Sequence, residues 1–149
     1  MKIAIGCDEA AYDLKQLLKN HLATAGHEVV DFGTHDAKPV LYPDVAFEVA
    51  GQVASGVFER ALLLCGTGIG MAISANKVKG IRAAQCHDTY SAERASRSNG
   101  AQIITIGARV VGPELAKCIV DSWIGNTFDG GRSQPKVDLI DAYEAGHST

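Results

Sequence analysis

The chain has 149 residues, of which 21% are charged, and its formal net charge is −3. This length predicts a single domain over residues 1–149, large enough to bury roughly 68–70% of its unfolded surface without disulfides or metal ions. The slight negative charge and the lack of basic runs argue against nucleic acid as the main partner, and no apolar run approaches the ~20 residues of a membrane-spanning helix.

Short apolar runs typical of strands alternate with segments of helical periodicity. The predicted strands cover residues 2–6, 27–32, 61–64, 81–85 and 102–106. The predicted helices cover residues 11–25, 43–55, 71–77, 89–98, 112–123 and 133–145, and residues 146–149 are predicted to be frayed. Strands separated by helices indicate a parallel sheet covered on both faces, a three-layer, doubly wound (Rossmann-like) α/β fold with five strands.

The last two helices carry apolar residues, but only the first of them has a clear packing surface within the predicted domain. We expect the fifth helix to bury Leu115, Ile119, Val120 and Trp123. The last helix carries Val137, Leu139, Ile140 and Tyr143. It follows the final strand, so it is not a crossover between strands. It could pack on a partner subunit or close its own domain, and the sequence leaves both open.

An even count of four cysteines could mean two disulfides, but Cys7, Cys65 and Cys86 lie in or just after apolar strand-like runs, which favours reduced thiols. None forms a C-x-x-C pair, which makes a zinc site improbable. Cys7, Cys86 and Cys118 are interpreted as core residues, as free thiols commonly are. The first eight residues turn polar too soon for a signal peptide, so we expect a cytoplasmic location.

A glycine-rich stretch follows the third strand, where Cys65 precedes the sequence G-T-G-I-G and then a helix. Such a turn directs backbone N–H groups at an anion or a developing oxyanion. These donors favour a thiolate, so Cys65 could be a base or nucleophile, or simply a small residue that ends a strand. Thr67 could donate a hydrogen bond to a substrate oxygen, although capping the helix is the simpler role.

Polar residues follow the other strands at the same edge of the predicted sheet. Asp8 and Glu9 follow the first strand, and Arg109 follows the fifth. The two carboxylates could do acid–base work, or they could cap a helix and favour its dipole. Arg132 and Lys136, four residues apart, could hold a phosphate, and a solvated face is the simpler alternative.

Nucleotide binding is disfavoured. The stretch reads G-T-G-I-G, and Met71 stands where a dinucleotide fingerprint requires its third glycine. No Walker lysine is present, because Lys77 falls too late and is not followed by serine or threonine.

Several motifs together closely resemble the ribose-5-phosphate isomerase B and galactose-6-phosphate isomerase family. They are Cys65 to Gly70, Ala75-Asn76-Lys77, Gly80 to Ala83, Gly6-Cys7-Asp8, Asp31 to Thr34, Tyr42-Pro43, Tyr90-Ser91-Ala92, Gly107 to Gly112 and Gly130-Gly131-Arg132. The resemblance covers essentially the full length. It implies an aldose–ketose isomerase of a sugar phosphate that needs no metal or cofactor. It also implies a homodimer or dimer of dimers whose active sites are shared between subunits.

The resemblance assigns roles to individual residues. Cys65 takes a proton from the carbon next to the carbonyl, which forms a cis-enediolate. Thr67 and the amides of Gly66, Gly68, Ile69 and Gly70 hold the oxyanion. Asp8 and Asn99 bind sugar hydroxyls. Arg132 and Lys136 bind the phosphate, with Arg109 as a further candidate, and Lys136 stands where many relatives have arginine.

Two departures from the family pattern bear on the substrate. Relatives that act on ribose 5-phosphate usually have histidine at the position of Glu9. They also have a ring-opening histidine at the position of Ser98, and serine is a poor proton shuttle near neutral pH. We therefore include Glu9 and Ser98 among the expected substrate-binding residues.

A substrate without a furanose ring fits these departures. D-erythrose 4-phosphate cannot close a furanose, because its last hydroxyl carries the phosphate. Interconversion of D-erythrulose 4-phosphate and D-erythrose 4-phosphate is the first hypothesis, and ribose 5-phosphate isomerisation is the second. A non-catalytic sugar-phosphate-binding subunit is the alternative from another class.

Overall fold

The computed structural model describes residues 1–147, and the last two residues of the predicted frayed tail lie outside the described residues. The strands are β1 (Lys2–Cys7), β2 (Glu28–Asp31), β3 (Arg60–Cys65), β4 (Ala83–Gln85) and β5 (Ile103–Gly107). The helices are α1 (Tyr12–Thr24), α2 (Tyr42–Ala54), α3 (Ile69–Ala75), α4 (Thr89–Arg97), α5 (Pro113–Ile124) and α6 (Gln134–Gly146). None of the helices within residues 1–147 combines the length and apolar character needed to cross a membrane.

The strands form one parallel sheet in the order β2-β1-β3-β5-β4. One core cluster joins one face of the sheet to α1, α4 and α5, and a second joins the other face to α2 and α3. The predicted three-layer, doubly wound fold is therefore confirmed. Helix α1, which follows β1, packs on one face of the sheet, whereas α3, which follows the neighbouring strand β3, packs on the other. The carboxyl ends of β1 and β3 therefore flank the crevice where such folds bind ligands.

Alternation along β3 decides which side of the sheet Cys65 faces. Leu62 and Leu64 pack on the side of α1, whereas Leu63 and Cys65 pack on the side of α2 and α3. Successive side chains point to opposite faces of a strand, so the buried run of β3 serves both cores. Cys65 consequently lies under the start of α3, the helix that follows its own loop.

Two elements start two residues away from their predicted positions, and each has an identifiable reason. Helix α3 begins at Ile69 rather than residue 71, because Gly68 turns the chain with a φ of 76°. Strand β4 begins at Ala83 rather than residue 81. The N–H of Arg82 donates instead to Oε1 of Gln102, at 2.8 Å, so a side-chain amide takes the place of a strand partner.

Two predicted core residues are wrong, and nothing in the sequence indicated a buried lysine. Leu115 and Cys118 lie exposed on α5, which buries Ala116 with Ile119, Val120 and Trp123. Lys15 is fully buried in α1, where its Nζ lies 2.7 Å from Asp31 and also donates to the carbonyl of Thr34. From sequence alone, a lysine within an amphipathic helix is expected to be exposed, unless the carboxylate that pairs with it is known.

The Lys15–Asp31 pair joins α1 to the end of β2. Burial alone raises the pKa of Asp31, but hydrogen bonds from Lys15, the Gly33 N–H and Lys19 outweigh it and hold this pKa below its usual value. The carboxylate is therefore charged near neutral pH. The pair fixes the start of the loop that leads from β2 to α2.

Helix α6 lies against its own domain at one side only. Val137 is buried, and Asp141 and Glu144 bond to Arg82 and to the N–H of Gly80, at 3.0 and 2.8 Å. The apolar residues Leu139, Ile140 and Tyr143 remain exposed, Leu139 by 71%. Most of the predicted apolar side of this helix is thus uncovered in the single chain.

The packing of α2 on β1 yields a stability prediction. A Cβ at Gly6 would lie 2.7 Å from Cγ1 of Val45, whereas a Cβ at Gly51 in α2 would meet nothing within 4 Å. We expect Gly6→Ala to lower the free energy of unfolding by about 1–3 kcal/mol through overpacking. Gly51→Ala should instead be neutral or stabilising by up to about 1 kcal/mol. Urea unfolding at one protein concentration measures both, and equal effects of the two variants would contradict the packing argument.

Candidate active site

The carboxyl ends of β1, β3 and β5 bring the predicted polar groups together. The N–H of Asp8 donates to the carbonyl of Leu64 at 3.2 Å, and the N–H of Arg109 donates to the carbonyl of Gly66 at 3.0 Å. The three loops at this edge, which we call the carboxyl edge, are therefore joined by backbone hydrogen bonds. Their side chains are held by the sheet itself rather than by flexible segments.

Cys65 ends β3 with its side chain almost enclosed, since the residue is 5% exposed. Its Sγ accepts a hydrogen bond from the N–H of Gly68 at 3.1 Å. A donor aimed at sulfur stabilises a negative charge there. The structure therefore places a backbone donor on the sulfur of a nearly enclosed cysteine.

The other two buried cysteines are unsuited to that chemistry. Burial raises the pKa of Cys7 to about 11 and the pKa of Cys86 to about 12. Both groups therefore stay protonated near neutral pH. Among the buried cysteines, Cys65 is the one whose sulfur accepts a hydrogen bond from the glycine turn.

The turn after Cys65 lies in backbone contact with β5. A Cβ at Gly68 would be 3.0 Å from the carbonyl carbon of Ile106, and a Cβ at Gly107 would be 2.7 Å from the Cα of Thr67. Backbone atoms cannot move aside as flexible side chains do. Both positions therefore require glycine for this approach.

Two side chains brace this turn, and neither was found from the sequence. The hydroxyl of Thr105 donates to the carbonyl of Gly68 at 2.8 Å, and Nε2 of Gln85 donates to the carbonyl of Thr67 at 2.6 Å. Gln85 comes from β4 and Thr105 from β5, and both strands are far from the turn in sequence. Only the strand order reveals that they meet it.

Thr67 bonds to the start of α3, although Gly68 is the residue that caps this helix. Its Oγ1 accepts a hydrogen bond from the N–H of Ile69 at 3.3 Å, as in a helix-start turn. A hydroxyl that accepts in this way still has its own proton to donate. Thr67 is exposed at the crevice, so that proton is available to a ligand.

The carboxylates after β1 differ in their surroundings. Asp8 caps the short turn Glu9–Ala11 by accepting from the N–H of Ala10 at 3.0 Å. Burial, together with the charge of Glu9, raises the pKa of Asp8. Hydrogen bonds from its own N–H and from that of Val40 lower the pKa of Glu9. The capping alternative for Asp8 is thus realised, and Glu9 stays charged.

Arg109 supplies a positive charge beside these groups. Its Nη1 would lie 3.4 Å from a Cβ at Gly66, so the guanidinium lies against the glycine turn. Its charge also favours the ionised forms of Asp8 and Glu9. The carboxyl edge therefore offers a cation, two carboxylates and the Cys65 turn within one crevice.

Tyr42 is a further residue that the sequence did not place here. A Cβ at Gly70 would lie 2.7 Å from Oη of Tyr42, so the tyrosine side chain occupies the space above this glycine. Gly70 stands in the first turn of α3, directly after the candidate loop. A glycine inside a helix is the one signal in the sequence that something packs closely there.

The remaining predicted site residues lie at the opposite, amino edge of the sheet. Helices α4 and α5 both run from the carboxyl edge back to it. Ser98 and Asn99 follow α4, and the Asn99 carbonyl accepts from Nε of Arg82, at 2.9 Å, just before β4 begins. Arg132 and Lys136 lie exposed at the start of α6, the helix that pairs with Arg82 through Asp141.

The length of the sheet separates the two groups in one chain. Strand β3 has six residues, and at about 3.3 Å per residue it spans about 15–20 Å. The single chain therefore brings Asp8, Glu9, Cys65, Thr67 and Arg109 together. It does not bring Ser98, Asn99, Arg132 or Lys136 to them.

Comparison with known proteins agrees with the fold and with the sequence motifs. The family described as ribose/galactose isomerase matches residues 3–140. A ribose-5-P isomerase B of Listeria innocua is 56% identical over 95% of both chains. A D-erythrulose-4-phosphate isomerase of Pectobacterium atrosepticum is 54% identical over 97% of this chain and 95% of its own.

A solved structure gives the same result in three dimensions. The ribose-5-phosphate isomerase B of Clostridium thermocellum superimposes with a TM-score of 0.97 at 46% identity, covering 99% of this chain and all of the other. The resemblance predicted from the motifs is therefore confirmed over nearly the whole length. The chain belongs to the ribose/galactose isomerase family, and it is a sugar-phosphate isomerase.

Proposed function

We propose that Cys65 is the base of an aldose–ketose isomerisation that proceeds through a cis-enediolate. The observation that carries this proposal is the hydrogen bond from the Gly68 N–H to Sγ of Cys65, inside the crevice between β1 and β3. The thiolate removes the proton from the carbon beside the carbonyl. It then returns the proton to the neighbouring carbon while the hydroxyl proton passes from one oxygen of the enediolate to the other, which exchanges aldose for ketose.

The turn that follows Cys65 would stabilise the enediolate. The hydroxyl of Thr67 and the amides between Gly66 and Gly70 surround the position next to Sγ, and the Thr67 hydroxyl retains a proton to donate. Donors fixed in advance are most effective where charge develops in the transition state. Asp8 would bind a sugar hydroxyl, and Arg109 would add positive charge beside it.

A second copy of the chain would complete the site. Ser98, Asn99, Arg132 and Lys136 lie at the amino edge, too far from Cys65 to meet the same substrate. Ile69 and Ile73 of α3 are exposed beside the catalytic turn, Ile73 by 58%, and α6 carries its own exposed apolar side. Exposed apolar surfaces of this kind favour association. A homodimer, or a dimer of dimers, would bring the phosphate-binding cations of one subunit to the cysteine of the other.

The tetrose phosphates remain the first substrate hypothesis. Ser98 lacks the titration that ring opening near neutral pH requires, and D-erythrose 4-phosphate has no furanose to open. Relatives of similar identity are named for ribose 5-phosphate and for D-erythrulose 4-phosphate. Ribose 5-phosphate is therefore kept as the second candidate.

The four free thiols fit a reducing compartment, which supports a cytoplasmic location.

A sugar-phosphate-binding subunit without activity is the remaining alternative. It would need the phosphate site but not an enclosed thiol with a donor on its sulfur. The Cys65–Gly68 geometry therefore favours the enzyme.

A substrate panel tests the substrate hypothesis. We expect kcat/KM for D-erythrose 4-phosphate to exceed that for D-ribose 5-phosphate by about tenfold or more, because only the open-chain fraction of the pentose could react. Proton NMR of both sugar phosphates with the same enzyme stock measures this. A preference for ribose 5-phosphate would reject the tetrose hypothesis, and inactivity towards every sugar phosphate would favour the binding subunit.

Substitution of Cys65 tests the mechanism. Cys65→Ser should lower kcat by about 10²–10⁴-fold, because it removes the general base. It should also stop exchange of the substrate's C2 hydrogen with deuterated water. Cys118→Ser, at an exposed cysteine on α5, is the matched control and should behave as the parent. Normal turnover of Cys65→Ser would exclude this cysteine as the base.

Mixing two inactive variants tests the shared site. Cys65→Ser and Arg132→Ala should each be inactive alone. After unfolding and refolding together, random pairing should restore about a quarter of the parental activity, because only mixed dimers contain one intact site. No recovery, although mixed dimers form, would place both residues in the same subunit's site.

A further inference from the structure

Glu9 makes a long-range hydrogen bond that the proposed chemistry does not use. It follows Asp8 at the carboxyl end of β1, yet its Oε2 accepts from the N–H of Val40 at 3.2 Å. Val40 belongs to the exposed residues 35–41 that lead from β2 to α2. One side chain therefore links the turn after β1 to a loop that is remote in sequence.

The two ends of this loop are held by different contacts. Its start is fixed at Thr34, whose N–H donates to the carbonyl of Cys7 at 2.8 Å. The carbonyl of Thr34 also accepts a hydrogen bond from Nζ of Lys15. Next, the N–H of Lys38 donates to Oδ1 of Asp36 within the loop, at 3.3 Å. The Glu9 bond acts at the far end, two residues before α2 begins.

The far end of the loop leads directly to the catalytic turn. Tyr42 is the first residue of α2, and its side chain occupies the space above Gly70. Gly70 follows the Cys65 turn in the first turn of α3. A bond at Val40 therefore fixes the chain two residues before Tyr42, whose side chain lies over Gly70.

The carboxylate is well suited to hold an amide. The N–H groups that it accepts keep the pKa of Glu9 below its usual value, and the charge of Arg109 acts in the same direction. Hydrogen bonds from an N–H to a charged acceptor are stronger than those to a neutral one.

We infer that Glu9 is a positioning residue that latches the loop of residues 35–41 to the turn after β1 and thereby sets Tyr42 over the catalytic turn. The latch would limit the room beside the sugar and so contribute to the choice of its chain length. This effect on selectivity rests on the proposed isomerase function, whereas the latch itself does not. Glu9 acts through Val40 and Tyr42 rather than on the reacting atoms.

Amide hydrogen exchange tests the latch without reference to activity. Glu9→Ala should speed exchange of the Val40 N–H by about fivefold or more, the range expected for one lost hydrogen bond. Glu9→Gln keeps an acceptor oxygen of the same shape and should stay within about twofold of the parent. Asp36→Ala is the matched control, because it removes a carboxylate bonded inside the same loop and should leave Val40 unchanged.

Kinetics on the tetrose and pentose phosphates tests the consequence. Glu9→Ala should raise KM for the tetrose more than it lowers kcat, and it should narrow the difference in kcat/KM between the two sugars. Glu9→Gln should restore most of both properties, and Asp36→Ala should match the parent.

Three outcomes would count against the inference. Unchanged Val40 exchange in Glu9→Ala would overturn the latch. Equal changes of KM and of sugar selectivity in Glu9→Gln and Glu9→Ala would overturn the positioning role. The negative charge of Glu9 would then act on the substrate directly. A parent inactive on all sugar phosphates would reject the isomerase proposal and the selectivity effect, while Val40 exchange would still decide the latch.

Discussion

The close backbone contact between the Cys65 turn and β5 is the constraint on which the candidate site depends. Gly68 and Gly107 lack the Cβ atoms that would otherwise separate the two segments by pushing Ile106 and Thr67 apart. The contact bends the turn back over the strand, and this bend directs the Gly68 N–H at the sulfur. The orientation of that donor follows from main-chain packing. Under the proposed mechanism, the donor would therefore need no reorganisation when charge develops on the sulfur.

The sheet order extends this constraint to the residues around it. Because β5 lies between β3 and β4, Thr105 and Gln85 can both hold carbonyl groups of the turn. Because β1 lies on the other side of β3, Asp8 reaches the same crevice through a backbone bond to Leu64. Few of the contacts that shape the turn are local in sequence. Its rigidity is a property of the whole sheet, and damage to strand pairing would disturb the thiol's surroundings.

The sequence sufficed for the fold and for placing Cys65 and its glycine-rich turn at the carboxyl edge, because local patterns determine both. Alternating strands and helices predict the doubly wound sheet, and a cysteine before a glycine-rich turn marks the crevice. The sequence failed where a partner lies far along the chain. Lys15 looks exposed until Asp31 is seen beside it, and the roles of Tyr42 and Gln85 depend on strand order. Cys118 was wrongly placed in the core, because helical spacing does not say which of two adjacent faces is covered.

The separation of the site residues across the sheet has a consequence for specificity. Under the proposed arrangement, the base and the oxyanion donors belong to the carboxyl edge of one subunit. The cationic side chains that bind the phosphate belong to the amino edge of another. The distance between sulfur and phosphate is then set by how the subunits meet and by the loop that carries Tyr42. The Cys65 turn takes no part in setting it. Selectivity for sugar length could therefore change through Glu9, Ser98 or the interface while the proton-transfer geometry stayed the same. Such independence fits relatives of comparable identity that are named for substrates of different length.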